Sequence, residues 1–142
     1  MSADAAKGTG GVVLAVFGWA LVYFLVAHSW ALYIAREGTV GTTGLIGTEI
    51  VRIAPTLVYF LIVGLVFGLL ISPAAGVRWA ALAAAVAMAI EALLEHQIFY
   101  GGIDPLAVAV LAVDYLLPVA VAIAGALVTR LWRSTNGGTV AT

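Results

Sequence analysis

Residues 53–77 read IAPTLVYFLIVGLVFGLLISPAAGV, a stretch that contains no Asp, Glu, Lys or Arg. A second uncharged stretch extends from Gly8 to Ala35. Both are longer than the roughly 20 apolar residues that a helix needs to cross about 30 Å of hydrocarbon. The alternating pattern of outer-membrane strands is absent, so helices are the spanning structure that the sequence predicts.

Composition leads to the same class of protein, because 64% of the 142 residues are hydrophobic and only 9% are charged. A soluble domain usually carries about a quarter charged residues. The net charge of −1 provides no basic field, so no nucleic-acid partner is predicted. The absence of cysteine excludes disulfides, thiolate metal sites and thiol redox chemistry. We therefore predict a one-domain, all-α integral membrane protein in the lipid bilayer of the cell membrane, of the cytoplasmic (inner) type.

The predicted architecture is a four-transmembrane-helix bundle over residues 11–133. Its helices are predicted at about 11–35, 53–72, 79–97 and 105–129. Pro105 is well placed in the first turn of the last helix. The flanking segments 1–10 and 134–142 are polar and rich in small residues, so they are predicted to be disordered tails. The first apolar run is too long for a cleaved signal peptide, and the residues before it carry too little charge.

Basic residues predict the orientation. One side of the predicted bundle carries Lys7, Arg78, Arg130 and Arg133, and the other carries Arg36 and Arg52. The positive-inside rule then places both termini in the cytoplasm. Gly64 and Gly68 have the GxxxG spacing within the second helix. That spacing occurs by chance in apolar spans, but it also marks close helix contacts.

The first predicted outer loop, residues 36–52, reads REGTVGTTGLIGTEIVR. One interpretation is a flexible connection. The other is a lid or short re-entrant segment over an outer cavity. In that case Gly41, Gly44 and Gly47 would allow close backbone approach, because glycine has no side chain.

A cluster of acidic and histidine residues interrupts the apolar pattern. The third helix ends in IEALLEHQ, residues 90–97, and Glu91 lies one turn below Glu95 on the same face. His96 follows, and His28 lies about two turns before the outer end of the first helix. All of these residues are predicted in or near the outer half of the bilayer. The predicted spans contain no Lys or Arg at these depths.

The fourth helix carries a second acidic position, Asp114. Helices three and four are predicted to be antiparallel neighbours, so counting from the turn between them places Glu91 and Asp114 within about 3 Å in depth. A charged side chain at mid-membrane costs about 2.5–3.5 kcal/mol or more. Both are therefore predicted to face the bundle, a water-filled cavity or another subunit. Pro118 cannot donate a hydrogen bond to the carbonyl of residue 114, and freed carbonyls of this kind often line cavities or ion sites, although proline is also ordinary in membrane helices.

Three functions remain open from the sequence. Carboxylates, histidines and freed carbonyls bind protons or hard cations, which predicts a small, oligomeric transporter or channel. We expect at least one of Glu91, Glu95 and Asp114 to be protonated at neutral pH unless a cation is bound. The second hypothesis is an accessory subunit whose acidic residues meet partner membrane subunits. The third is a redox protein in which His28 and His96 ligate a b-type haem.

Enzymatic hypotheses have less support. The chain contains neither HExxH nor GxSxG, and its acidic cluster lacks the repeated Glu-x-x-His spacing of di-iron carboxylate bundles. No cofactor is predicted, although a bound cation is compatible with the cluster. The identity of any metal is left open, and haem b is disfavoured.

Overall fold

The computed structural model describes residues 3–37, 42–96 and 105–136, with side chains for 3–26, 29, 53–93 and 114–136. Within these residues the chain forms four helices: α1 Ala3–Glu37, α2 Thr42–Leu70, α3 Pro73–His96 and α4 Pro105–Asn136. Each contains a segment long and apolar enough to cross a membrane, which are Ala3–Val26, Ile53–Leu70, Pro73–Leu93 and Asp114–Asn136. The predicted all-α fold with four such helices is confirmed, and it indicates a multi-pass membrane protein.

The first and last helices extend farther toward the chain termini than the sequence predicts. α1 begins at Ala3, within the segment 1–10 that was predicted to be disordered. Alanine is the strongest helix former, and the alanines of this segment outweigh its glycines. α4 continues to Asn136, beyond the predicted end at residue 129. The hydroxyl of Ser134 donates to the Leu131 carbonyl (2.7 Å) and so extends the last turn. Residues 137–142 of the predicted tail lie outside the described residues.

α2 begins eleven residues before the predicted start at residue 53. Gly44 and Gly47 therefore lie in a helix rather than in the predicted loop, and Gly41 lies outside the described residues. Glycine costs a helix only about 1 kcal/mol per residue relative to alanine, so apolar neighbours at helical spacing outweigh it. The longer helix also places Pro55 in its interior. A proline there removes one hydrogen bond from the helix.

α3 begins at Pro73 rather than near residue 79. Proline suits the first helical position because its missing N–H has no partner there in any case. The amide of Gly76 donates to the Ser72 carbonyl at 2.7 Å, which closes this first turn. A Cβ added to Gly76 would lie 2.8 Å from the Phe67 carbonyl oxygen, so α2 and α3 are tightly packed where they meet.

The helices alternate in direction. Gly8, near the start of α1, lies against the ring of Trp79 near the start of α3, so these two helices are parallel. Gly11 lies against the Phe67 ring near the end of α2, which makes α1 and α2 antiparallel. Within the described residues, α1 packs against α2 and α3 and makes no close backbone approach to α4. The pair α2 and α3 therefore separates α1 from α4.

α2 and α4 are parallel and meet backbone to backbone. A Cβ added to Gly64 would overlap the carbonyl oxygen of Ala122. A Cβ on Gly125 would lie 2.6 Å from the Leu61 carbonyl oxygen, and one on Gly68 would overlap the Thr129 hydroxyl. The GxxxG spacing of the second helix thus marks a real contact, with small residues allowing close approach as in other membrane bundles. We call this contact the α2–α4 seam.

The starts of α1 and α3 and the ends of α2 and α4 lie at one end of the bundle. This end, called the basic end below, carries Lys7, Arg78, Arg130 and Arg133. The Arg133 guanidinium donates to the carbonyls of Leu69 and Ile71, the latter at 3.3 Å. A cation that binds the final carbonyls of α2 also complements the negative end of that helix.

The interior next to the basic end is mostly apolar, with Thr129 as a buried polar residue. α3 presents a face of alanines at helical spacing, and aromatic side chains from the other helices pack against it. Trp19, Phe60 and Pro118 are the largest fully buried side chains. Between them and the basic end lie Val63, Phe67 and Ile71. We call Phe60, Val63, Phe67 and Ile71 the apolar block.

Candidate functional site

Glu91 is a buried charged residue, with only 7% of its surface exposed. It continues the buried face of α3, following Ala84 and Met88 at the spacing of successive helical turns. The sequence predicts this placement, because a carboxylate facing lipid is costly. Glu91 therefore lies inside the bundle rather than on its lipid-facing surface.

Asp114 lies on α4 and is partly buried. It precedes Pro118 by four residues, and Pro118 is fully buried inside α4. Because proline has no N–H, the helix cannot supply its usual bond to the Asp114 carbonyl. Pro118 faces the bundle interior, with the partly buried Asp114 one turn before it.

The ring of Trp79, which packs against Gly8, fixes the alignment of α1 with α3. Both helices run away from the basic end, so equal numbers of residues advance by equal distances, about 1.5 Å each. Eleven residues beyond this contact, Trp19 is level with Ile90, the neighbour of Glu91. Trp19 and Glu91 therefore lie at the same height in the bundle to within about one turn, ~5 Å.

The seam fixes the alignment of α2 with α4 in the same way. Gly64 lies against Ala122, and both helices run toward the basic end. Eight residues earlier on each helix, Thr56 is level with Asp114. The predicted similarity in depth between Asp114 and Glu91 now depends on how α2 aligns with α1.

A hydrogen bond joins α1 to α2. The Tyr59 hydroxyl donates to the Ala15 carbonyl at 2.6 Å. Because these helices are antiparallel, Trp19, four residues after Ala15, is level with Pro55, the neighbour of Thr56. The contacts of Gly11 with Phe67 and of Gly125 with Leu61 shift these alignments by about one to two turns, so the four helices each contribute a polar group at a similar height rather than at one level. We call this set the polar layer; it consists of Trp19, Thr56, Glu91 and Asp114.

Trp19 and Thr56 were not among the residues predicted from the sequence. Trp19 is 1% exposed, and its ring lies 5.3 Å from that of Tyr23 at an angle of 31°. Its Nε1 has no hydrogen-bond partner among the described residues. Tryptophans of membrane proteins concentrate at the two interfaces, so a tryptophan eleven residues inside the uncharged run from Gly8 was the signal available in the sequence.

The remaining predicted site residues lie farther from the basic end. Glu95 and His96 are in the last turn of α3, and His28 is in α1, but their side chains lie outside the described residues. His28 follows Trp19 by nine residues, or about 13 Å along the axis. Its backbone is therefore well beyond the height of Glu91, whereas the sequence predicts overlapping depths. The predicted pairing of His28 with His96 also lies outside the described side chains.

The early start of α2 changes the charge balance near the layer. Arg52 precedes Thr56 by four residues, so its backbone is in a helix and about 6 Å beyond the polar layer. Arg52 directly precedes the apolar segment Ile53–Leu70, and the expectation that no Lys or Arg occurs at these depths stays a prediction. The two carboxylates of Glu91 and Asp114 outnumber this one arginine. Among the described side chains, no three His, Asp or Glu residues are grouped so that they would hold a metal ion.

Comparison with known proteins finds no relative. No protein-family model, curated protein or solved structure matches this chain. The chemistry of the polar layer therefore has to be argued from its own residues.

Proposed function

We propose that this chain is a multi-pass membrane protein that binds a proton or a small cation at Glu91 and Asp114, as a transporter or channel. The observation that supports the proposal most directly is the burial of Glu91, which is 7% exposed inside an otherwise alanine-lined helix face. A buried carboxylate is stabilised by a proton, a cation, a basic group or several hydrogen bonds. Asp114 is partly buried at a similar height on α4, so the bundle holds two acidic side chains at which a proton or cation can bind.

The apolar block suggests from which side the ion arrives. Phe60, Val63, Phe67 and Ile71 fill the interior between the polar layer and the basic end. An ion in the layer would therefore exchange with the opposite end of the bundle. If the basic end is cytoplasmic, as the positive-inside rule proposes, the ion would reach the layer from the outer side. Transfer to the cytoplasm would then require a rearrangement of the block, so we propose an alternating-access device rather than an open pore.

Carbodiimide labelling tests whether Glu91 binds a proton. Dicyclohexylcarbodiimide partitions into membranes and reacts with protonated carboxyl groups there. We expect peptide mass spectrometry to locate the adduct at Glu91 in purified protein at neutral pH. Glu91→Gln should remove the adduct, and Asp4→Asn, at the basic end, should leave it unchanged. A cation that occupies the layer should slow labelling at least several-fold, so a series of monovalent and divalent salts identifies the ion.

A variant of Arg52 distinguishes a protonated or cation-binding Glu91 from one that forms an ion pair with this arginine. If Glu91 serves only as the partner of Arg52, it remains ionised and unlabelled in the parent protein, and Arg52→Gln renders it reactive. That pair of results would contradict the proposal. Labelling in the parent, together with ion uptake into proteoliposomes that Glu91→Gln reduces at least tenfold, would support it.

Native mass spectrometry in detergent separates this proposal from the accessory-subunit hypothesis. Four helices enclose little volume, so a transporter of this size is expected as a homo-oligomer. Obligate co-purification with a second membrane protein, without ion uptake by the isolated chain, would instead favour an accessory role. Each acidic residue would then meet a group on another chain.

A further inference from the structure

Trp19 is the part of the polar layer whose chemistry the proposed function does not yet use. Its indole is 1% exposed, and Nε1 has no partner among the described residues. Buried N–H groups in native proteins are almost always hydrogen bonded, to protein or to ordered water. In the interior of a membrane bundle, an N–H group without a hydrogen bond costs more free energy than it does at a hydrated surface. A buried indole N–H therefore indicates a ligand that accepts a hydrogen bond.

The described surroundings of Trp19 limit what that ligand is. The indole only donates, so it cannot coordinate a bare cation. The ring of Tyr23 lies 5.3 Å away and covers one side of the indole. The buried face of α3 consists of alanines and Met88 up to Glu91, which is the polar residue of that face near the height of Trp19. The nearby Tyr59 hydroxyl gives its proton to Ala15. No described side chain accepts this hydrogen bond, so a small molecule such as water is the acceptor to test.

The polar layer supplies the other partners that a buried water needs. Such a water usually makes two to four hydrogen bonds. Glu91 lies within about one turn of Trp19 in height, and Asp114 lies at a similar height. A carboxylate accepts up to about four hydrogen bonds, so it can accept one from water in addition to its protein partners. Thr56, at a similar height, can both donate and accept.

We propose that the bundle holds a buried water on Trp19 Nε1 and that this water links the indole to the carboxylates of the polar layer. The inference deepens the proposed function, because the water forms the inner end of a polar path that stops at the apolar block. The ligand class is a single hydrogen-bond acceptor, water or the hydration water of an arriving cation. Trp19 is a positioning residue in this scheme, since it orients the water and touches no transferred proton itself.

Nuclear magnetic resonance of the indole groups tests the proposal in the intact protein. The chain has four tryptophans, so ¹⁵N-tryptophan labelling in lipid nanodiscs gives four indole signals. Trp19→Phe assigns one of them by its loss, and it preserves most of the apolar ring. We expect the Trp19 signal to show a cross-peak to water and a hydrogen-bonded chemical shift. Glu91→Gln should move this signal, whereas Arg130→Gln at the basic end should not.

Two results would overturn the inference. One is a Trp19 indole without a water cross-peak and with the shift of an indole that has no acceptor. The other is a signal that Glu91→Gln and Asp114→Asn both leave in place. The two proposals can fail independently. If the Trp19 indole shows a water cross-peak but Glu91 does not react with carbodiimide, the water site is supported and the ion site is contradicted. If Glu91 reacts and the Trp19 indole shows no water cross-peak, the ion site is supported and the water site is contradicted.

Discussion

The two halves of the bundle differ in how their helices are held together. Toward the basic end, glycines bring α2 and α4 into backbone contact, and aromatic rings fill the space beside the alanine face of α3. Around the polar layer, two helices contain a proline and two present a carboxylate. The first half is built for packing, and the second retains groups that lower stability. Such groups persist in membrane interiors chiefly where they serve a function.

The largest effect is expected from a substitution that disrupts the packing of α2 against α4 toward the basic end. Gly64→Val adds a Cβ that overlaps the Ala122 carbonyl oxygen, and a backbone atom cannot rotate away. We expect a loss of about 3 kcal/mol or more in the free energy of unfolding, at the upper end of overpacking effects. Gly10→Val is the matched control, because a Cβ there meets nothing within 4 Å. Thermal unfolding in detergent checks both, and equal melting temperatures would show that the seam does not hold the bundle.

The second effect concerns the sign of charge in the polar half. Glu91→Gln keeps a neutral polar group of the same shape, so it should fold almost as well as the parent. Glu91→Lys places a cation beside the site where a cation is proposed to bind, and we expect a loss of about 2–3 kcal/mol. Purification yield and melting temperature in detergent measure the difference. If the two variants behave alike, the burial of Glu91 has no electrostatic consequence.

The third effect sharpens the comparison by asking whether the polar layer acts as a unit. Glu91→Gln and Asp114→Asn should be non-additive by about 1 kcal/mol, within the range of 0.5–3 kcal/mol seen for interacting residues. The coupling should appear in unfolding or in cation binding. The control cycle combines Glu91→Gln with Asp4→Asn, which lies at the basic end and should be additive. Strict additivity in both cycles would mean that the two carboxylates have separate surroundings.

The smallest effect concerns the contact between the ends of α2 and α4. Arg133→Gln removes a cation from the final carbonyls of α2, and we expect a loss of about 0.3–1 kcal/mol. Arg130→Gln changes an exposed arginine of the same helix turn and serves as the control. Chemical unfolding in a denaturing detergent is sensitive enough for this comparison. A larger effect for Arg130 would show that surface charge, rather than the cap, stabilises this end.

The sequence alone predicts the four helices well, because an uncharged run long enough to cross a bilayer seldom forms anything but a membrane-spanning helix. It also identifies Gly64 and Gly68 as a contact motif and Glu91 as a residue that avoids lipid. The start of α2 was missed, since four glycines and several threonines between residues 38 and 48 are typical of a loop. Their neighbours, among them Leu45, Ile46 and Ile50, continue the apolar pattern of the helix at the spacing of a turn.

The polar layer was only half predictable for a different reason. A carboxylate in an apolar run is conspicuous wherever its helix faces, so Glu91 and Asp114 stand out. Trp19 stands out only by its distance from the predicted interfaces, because the sequence of α1 does not show whether neighbouring helices bury its N–H. That burial depends on the alignment of α1 with α3, which the contact of Gly8 with Trp79 fixes. No pattern within α1 carries this information.

The α2–α4 seam also restricts how this protein can change over evolution. A crowded side chain is often accommodated when its neighbour becomes smaller, but Gly64 and Gly125 face carbonyl oxygens and amides. Every residue has those atoms, so no substitution on the partner helix can make room. These glycines should therefore be fixed in any descendant that retains the fold. Exposed apolar positions such as Leu70 and Leu131 can drift among apolar residues. Distant relatives would be recognised by the spacing of their small residues sooner than by overall identity.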